Sequence, residues 1–504
     1  MNELLFEGAD WSFDTLQRAH DAVHEIACGE MGLTIYPNQI EVITPEQMLD
    51  AYAATGMPIY YPHWSHGKRF AQHELIYRKG AAGLAYEIVI NSSPCISYVM
   101  EGNTMAMQTL VIAHAAFGHN HFFRNNYAFR EFTDPAGILD YLVFARGYIS
   151  SCEERYGVSA VERVLDAAHA LMGQGVDSAR RRRRPDLKSE EARQRERRLH
   201  DERIHNELWR TLPKGAAAPP ARADEALLRK LLELPQENVL YFLEKNAPKL
   251  APWQREILRI VRLMAQYFHP QRLTKVMNEG AASFVHYKVM NALHERGRIG
   301  DGAFLEFLAS HTNVVMQPSF ESGGSGGLNP YALGFAMMRD IERACLAPDD
   351  EDRLWSPDIA GCGDAMGALR EIWANFRDES FILQYLSPKV MRDFRLFCLL
   401  DDPDDPTLLV EAIHNERGYR RIRSTLARSY DLSYIDPQIE VAAVDLAGDR
   451  RLILHHKVQG GALLAEKDAR AVLRYVAALW GYDVRLQEVD AGGRVLREHN
   501  AAPP

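Results

Sequence analysis

No run of about 18 apolar residues occurs in the 504-residue chain, so no membrane-spanning helix is expected. Cysteine is sparse. Cys28, Cys95, Cys152, Cys345, Cys362 and Cys398 stand singly, which argues against a zinc knuckle, a dithiol redox motif or a disulfide scaffold. The expected compartment is therefore the reducing cytoplasm. Basic charge is not in excess: the net charge of -10 speaks against a dedicated nucleic-acid binder. The opening "MNELLFEGADWSFD" is acidic and lacks the basic, apolar, small-residue order of a signal peptide. What remains is an ordinary globular composition, 47% hydrophobic and 25% charged. Its length suits roughly two to four domains.

Local patterns divide the chain. Residues 1–175 read as a mixed, mainly helical domain. Within it "TPEQMLDAY" is a helix start, with Thr44 as cap, Pro45 in the first turn and Gln47 closing a capping box. "YEIVINS" alternates as a strand does, with Tyr86, Ile88 and Ile90 on one face and Glu87, Val89 and Asn91 on the other. Residues 176–236 are charge-dense and poor in apolar residues, the mark of a solvated linker. Its run Arg180–Arg184 is read as solvated, with docking of an acidic partner as the alternative. Residues 237–430 are helical again; Ile257, Leu258, Val261 and Met264 fall on one helix face. The Gly-rich "FESGGSGGLNPYALGF" has no Lys-Ser or Lys-Thr pair after it, so it is not read as a phosphate loop. Residues 431–504 read as a small β-β-α-β module. His455 and His456 are neighbours on one of its strands and face opposite ways, which suits strand pairing rather than joint ligation. The predicted fold is mainly α with a few strands in the N-terminal domain, plus this α+β module.

"AHAAFGHNHFF" places His114, His119 and His121 on a stretch that otherwise reads as buried helix. At about 100° per residue, positions seven apart nearly align and positions five apart diverge by about 140°. His114 and His121 then share a face. His119 joins His114 only if the helix carries a π-bulge or breaks at Gly118. A second stretch, "NEGAASFVHY", sets Glu279 and His286 seven apart. Gly280, Ala281, Ala282 and Ser283 lie between them and permit close helix packing. Two helices contributing a pair each would complete a His/Glu site for a divalent cation, zinc first among them. The competing reading of any one of these histidines is a hydrogen-bonded core residue.

The segments "HWSHGKRFAQHELIYRKGAAGLAYEIVIN", "ENVLYFLEKNAPKLAPWQREILRIVR", "TKVMNEGAASFVHY", "NPYALGFAMMRDIER" and "DESFILQYLSPKVMRDF" resemble the stage V sporulation protein R (SpoVR-like) family over nearly the whole chain. The resemblance implies a link to the spore cortex in spore formers. Elsewhere it implies company with a PrkA-type serine protein kinase and a von Willebrand-like partner. It fixes no reaction. His114, Gly118, His119 and Asn120 match the family's "AH…GHN" core, which favours His114 with His119 over His114 with His121. "NEG" at 278–280 also matches, but Ala281 stands where members often have Trp, so an altered pocket wall is expected.

A fainter similarity to gluzincin metallopeptidases pairs a histidine helix with a later "NEG" glutamate. Here the helix reads His-Ala-Ala-Phe-Gly-His, without the glutamate of His-Glu-x-x-His. Another carboxylate would have to move the proton, and Glu74, Glu87 and Glu101 are the candidates, each also readable as a surface or ion-pair residue. The expectation is a metal-dependent hydrolase of amide or peptide bonds in cell-wall-related material. The alternative is a non-catalytic regulatory or scaffold partner in a kinase-linked stress or sporulation pathway.

Overall fold

A computed structural model of the chain describes residues 3–54, 57, 60–78, 87–177, 195, 229, 232–318, 327–400, 409–445 and 448–504. The run Arg180–Arg184, most of the charged segment 176–236, Tyr86, Gly323, Gly324 and Gly326 lie outside these residues. The described chain is mainly helical with three small sheets, as the sequence leads one to expect. It forms two compact units: residues 1–148 with 268–435, and 149–267 with 436–504. The first unit draws on both sides of the charged segment. The stretches carrying His114 and Glu279, placed in separate domains from sequence, therefore belong to one unit.

In the first unit Thr44 caps the helix Pro45–Ala53 through a complete capping box with Gln47. Three strands, β1 (Asn38–Ile43), β2 (Glu87–Ile90) and β3 (Cys95–Met100), form a sheet of order β1-β3-β2. β1 runs parallel to β3 and β2 antiparallel, with Glu87 opposite Val99. Ile88 and Ile90 are buried while Glu87 and Val89 are half-buried, the alternation read from sequence. A two-stranded ribbon, β4 (Cys398–Leu400) with β5 (Leu409–Ala412), lies further along this unit.

The histidine helix starts at Met105 with Thr104 as its cap, and every residue from Met105 to Phe123 is buried. Its middle, Ile112–His119, is π-helical, and regular helix resumes over Asn120–Asn125. It packs against the helix Lys275–Glu295, here the NEG helix. A Cβ at Gly118 would sit 2.6 Å from Ala282 Cα, so only glycine permits this approach. The NEG helix meets the helix Pro330–Leu346 in the same way: a Cβ at Gly280 would sit 2.6 Å from Gly334 Cα. Phe117, Phe122, Phe284, Trp373 and Phe381 fill the surrounding core. These apolar side chains fix the two helices in place.

The start of the NEG helix is capped from a distance. Thr274 makes no side-chain cap. Instead Asp378, on the helix Asp378–Tyr385, accepts from the backbone N–H groups of Val276 (2.8 Å) and Met277 (2.9 Å). A carboxylate there suits the positive end of the helix dipole. Burial pushes Asp378 up to about 7 despite those bonds.

The second unit holds the C-terminal module: β6 (Ile439–Val444), β7 (Leu452–Lys457), the helix Glu466–Trp480, β8 (Val484–Val489) and β9 (Val495–Ala501). The sheet order is β6-β7-β8-β9, with β7 and β8 parallel and joined through the helix. Gly481, at φ 83°, ends that helix in the left-handed conformation. The expected β-β-α-β pattern is present with one further strand. β9 is mostly exposed and polar, so it lacks the apolar alternation that marks a strand in sequence. His456 is buried and His455 half-buried on opposite faces of β7.

Candidate metal centre

The π-helical segment decides which histidines meet. A turn closed by i→i+5 bonds brings residues five apart toward one face. The rings of His114 and His119 accordingly stand edge to face with centroids 4.7 Å apart. Glu279 reaches them from the NEG helix, with Oε2 3.5 Å from His119 Nε2. One ligand-capable atom from each of His114, His119 and Glu279 lies within 4.8 Å of the other two, the one such group found among the described residues. Two imidazoles and a carboxylate are the donor set of a zinc site that keeps a coordination position open. Glu279 Oε2 is buried and has no hydrogen-bond partner among the described residues. A bound cation would satisfy that orphaned oxygen, so the residues present fit one.

Hydrogen bonds behind the ligands orient them. His119 Nδ1 lies 2.9 Å from Asn278 Oδ1. An amide oxygen only accepts, so His119 donates from Nδ1, and Nε2 is the nitrogen it turns toward Glu279. His114 is held well below the usual histidine range by burial and by the neighbouring rings His119 and His286. It is neutral at neutral pH, the form a metal ligand must take.

His121 goes elsewhere. Its Nδ1 accepts from the Thr34 backbone N–H at 3.0 Å, and its ring meets Trp373, so it anchors the loop before β1. Burial lowers it to about 4. The ideal-helix pairing of His114 with His121 is thus not what the chain adopts, because the π-helical turn rotates it out of register. His286 also stands outside the group. Both of its nitrogens are engaged by other histidines, His114 at 2.9 Å and His311 at 2.7 Å, which leaves no lone pair for an ion. It lies behind His114, although it shares a helix with Glu279.

Of the three carboxylates offered as proton carriers, Glu87 is at the site. Its Oε1 lies 3.7 Å from His114 Nε2, and a fifth of its side chain is exposed. Burial, then the charge of Glu279, pushes it up to about 8. Glu74 is half-buried on the helix Trp64–Arg78 and does not enter the ligand group. Glu101 is exposed in the turn after β3, where its backbone carbonyl accepts from the Trp11 indole at 2.8 Å. Ala281, where the sequence leads one to expect an altered pocket wall, is buried in the hydrophobic core.

Sequence reasoning missed four residues. Burial, then the nearby charges of Glu279 and Glu87, holds the Tyr331 hydroxyl well above the usual range. Asn278, Tyr331 and Asp378 all sit in quoted motifs ("NEG", "NPYALGF", "DESFILQY"), so a signal existed without a role attached. His311, in "FLASHTNV", carried no signal.

Comparison with known proteins agrees over nearly the whole length. A family model described as SpoVR like protein matches residues 10–435, and one described as SpoVR-like C-terminal domain matches residues 437–491. The junction falls where the second unit resumes, at Asp436. Uncharacterized protein YcgB of Escherichia coli (strain K12) is 52% identical over 491 residues, 97% of this chain and 95% of its own length. No solved structure matches the chain. The chain therefore belongs to the SpoVR-like family.

Proposed function

We propose that this protein is a metal-dependent hydrolase. His114, His119 and Glu279 hold a divalent cation, zinc first among the candidates, and the convergence of their ligand atoms within 4.8 Å carries the reading. Such an ion supplies a Lewis acid and water of lowered pKa. Glu87 takes the proton of the attacking water and returns it to the leaving nitrogen. In the ion-free protein burial keeps Glu87 protonated near neutrality; a dication beside it opposes that and favours the carboxylate. Tyr331, buried beside Glu279 and Glu87, offers a hydroxyl donor at the edge of the site. By family association the substrates are amide or peptide bonds of cell-wall-related material.

The second reading is a non-catalytic partner of a PrkA-type serine kinase and a von Willebrand-like protein. In its favour, His114, His119 and His286 all make protein hydrogen bonds. Metal analysis of purified full-length protein separates the two. One equivalent of zinc, iron or manganese that disappears in Glu279→Gln supports the enzyme. Folded, metal-free wild type that gains no ion on titration supports the partner.

A further inference from the structure

His286 sits in a file of three imidazoles. Its Nδ1 lies 2.9 Å from His114 Nδ1 and its Nε2 lies 2.7 Å from His311 Nδ1. All three rings are buried, and His311 ends the file among Phe307, Phe335 and Tyr287. Each ring-to-ring bond needs one N–H and one lone pair. Three neutral rings can therefore satisfy both bonds in only two ways. In one, His114 donates from Nδ1 to His286, and His286 donates from Nε2 to His311. In the other, both bonds reverse, and His114 carries its proton on Nε2. Only the first arrangement turns a lone pair on His114 Nε2 toward the ligand group. The second points a proton there and blocks ligation.

We propose that His286 and His311 are positioning residues whose hydrogen-bonded file holds His114 in the Nδ1–H form and so makes it competent to bind a cation. The bias has a visible source. The backbone carbonyl of Ala282 faces the histidine helix, 3.4 Å from where a Cβ at Gly118 would lie, and acts on His114 as an acceptor does. Ala282 lies one helical turn before His286, so both acceptors stand on one side of the NEG helix and favour an N–H on the His114 nitrogen that faces it. His311 completes the polarity by accepting from His286 Nε2. A ligand histidine oriented through its second nitrogen is the general pattern of metal sites; here the orientation is relayed through two further rings. The consequence for cation binding rests on the metal-centre reading, but the tautomer belongs to the ion-free protein.

The test uses full-length protein with ¹⁵N-labelled histidine. In metal-free wild type the expected spectrum shows His114 protonated on Nδ1 and bare on Nε2. His311→Gln, whose amide oxygen can still accept, keeps that form and the wild-type zinc affinity. His311→Phe, which cannot accept, gives a mixture of His114 tautomers and binds zinc about 10–100-fold more weakly. His114 protonated on Nε2 in wild type overturns the inference. So does His311→Phe with both wild-type tautomer and wild-type affinity. If wild type binds no zinc, the metal-centre reading fails, while the spectrum still decides the tautomer.

Discussion

Two clusters in this protein set a carboxylate with a buried oxygen beside two histidines, and they differ in what is left over. In the C-terminal module Glu488 is fully buried and accepts from His456, His499, Arg497 and the Leu464 backbone N–H, at 2.6–3.2 Å. Both of its oxygens are taken. Burial raises the group, yet these four bonds outweigh it and hold Glu488 at about 2. In the first unit Glu279 has a buried oxygen with no hydrogen bond among the described residues, and His119 turns its Nε2 toward it. The same residue types thus make a closed cluster in one place and an open one in the other. A closed cluster ties strands together; an open one leaves a donor for a further group, here the proposed cation.

Breaking each cluster should therefore give opposite results. Glu279→Ala should abolish zinc binding and change stability little, since few protein bonds are lost; equilibrium dialysis and a thermal melt read both. Glu488→Ala should leave zinc binding intact but cost roughly 3–5 kcal/mol of stability, because His456, His499 and Arg497 lose a buried partner. The same carboxylate predicts a pH dependence. Its folded value lies below the 4.5 of free glutamate, so its contribution is fully present above that pH and is lost as the pH falls toward about 2. Acid melts of wild type and Glu488→Ala should converge in that window; equal spacing across it would show that Glu488 is not the group responsible.

Two smaller effects sharpen the contrast by moving the frame of the open cluster. Gly118→Val places atoms where Ala282 already sits, and should cost about 1–3 kcal/mol and weaken zinc binding as the two helices separate. Wild-type affinity in a folded Gly118→Val protein would show that the close approach is not needed. Asp378→Ala removes the remote cap of the NEG helix and should cost about 0.5–2 kcal/mol, with a slight loss of zinc affinity. Chemical denaturation of the two proteins measures that difference.

Much of this frame was legible in the sequence, and the reasons are local. The capping box at Thr44, the alternation of Glu87 to Ile90 and the end of the C-terminal helix at Gly481 depend on residues within a few positions of one another. The choice between His119 and His121 was not legible from ideal helix geometry, because the π-helical turn shifts the register inside one element. Family resemblance pointed to His119, and the π-helical turn shows how His119 reaches His114. Asp378, Tyr331 and His311 act across long sequence separations, so no spacing rule finds them. β9 escaped because an exposed edge strand has little apolar pattern to read.

The central claim is that His114, His119 and Glu279 together hold one cation. Anomalous scattering at the zinc edge, from crystals grown with one equivalent of zinc, tests it most directly. The account predicts a single strong peak about 2.0–2.2 Å from a nitrogen of His114, a nitrogen of His119 and a carboxylate oxygen of Glu279. A peak elsewhere, or none in protein saturated with zinc, would contradict it.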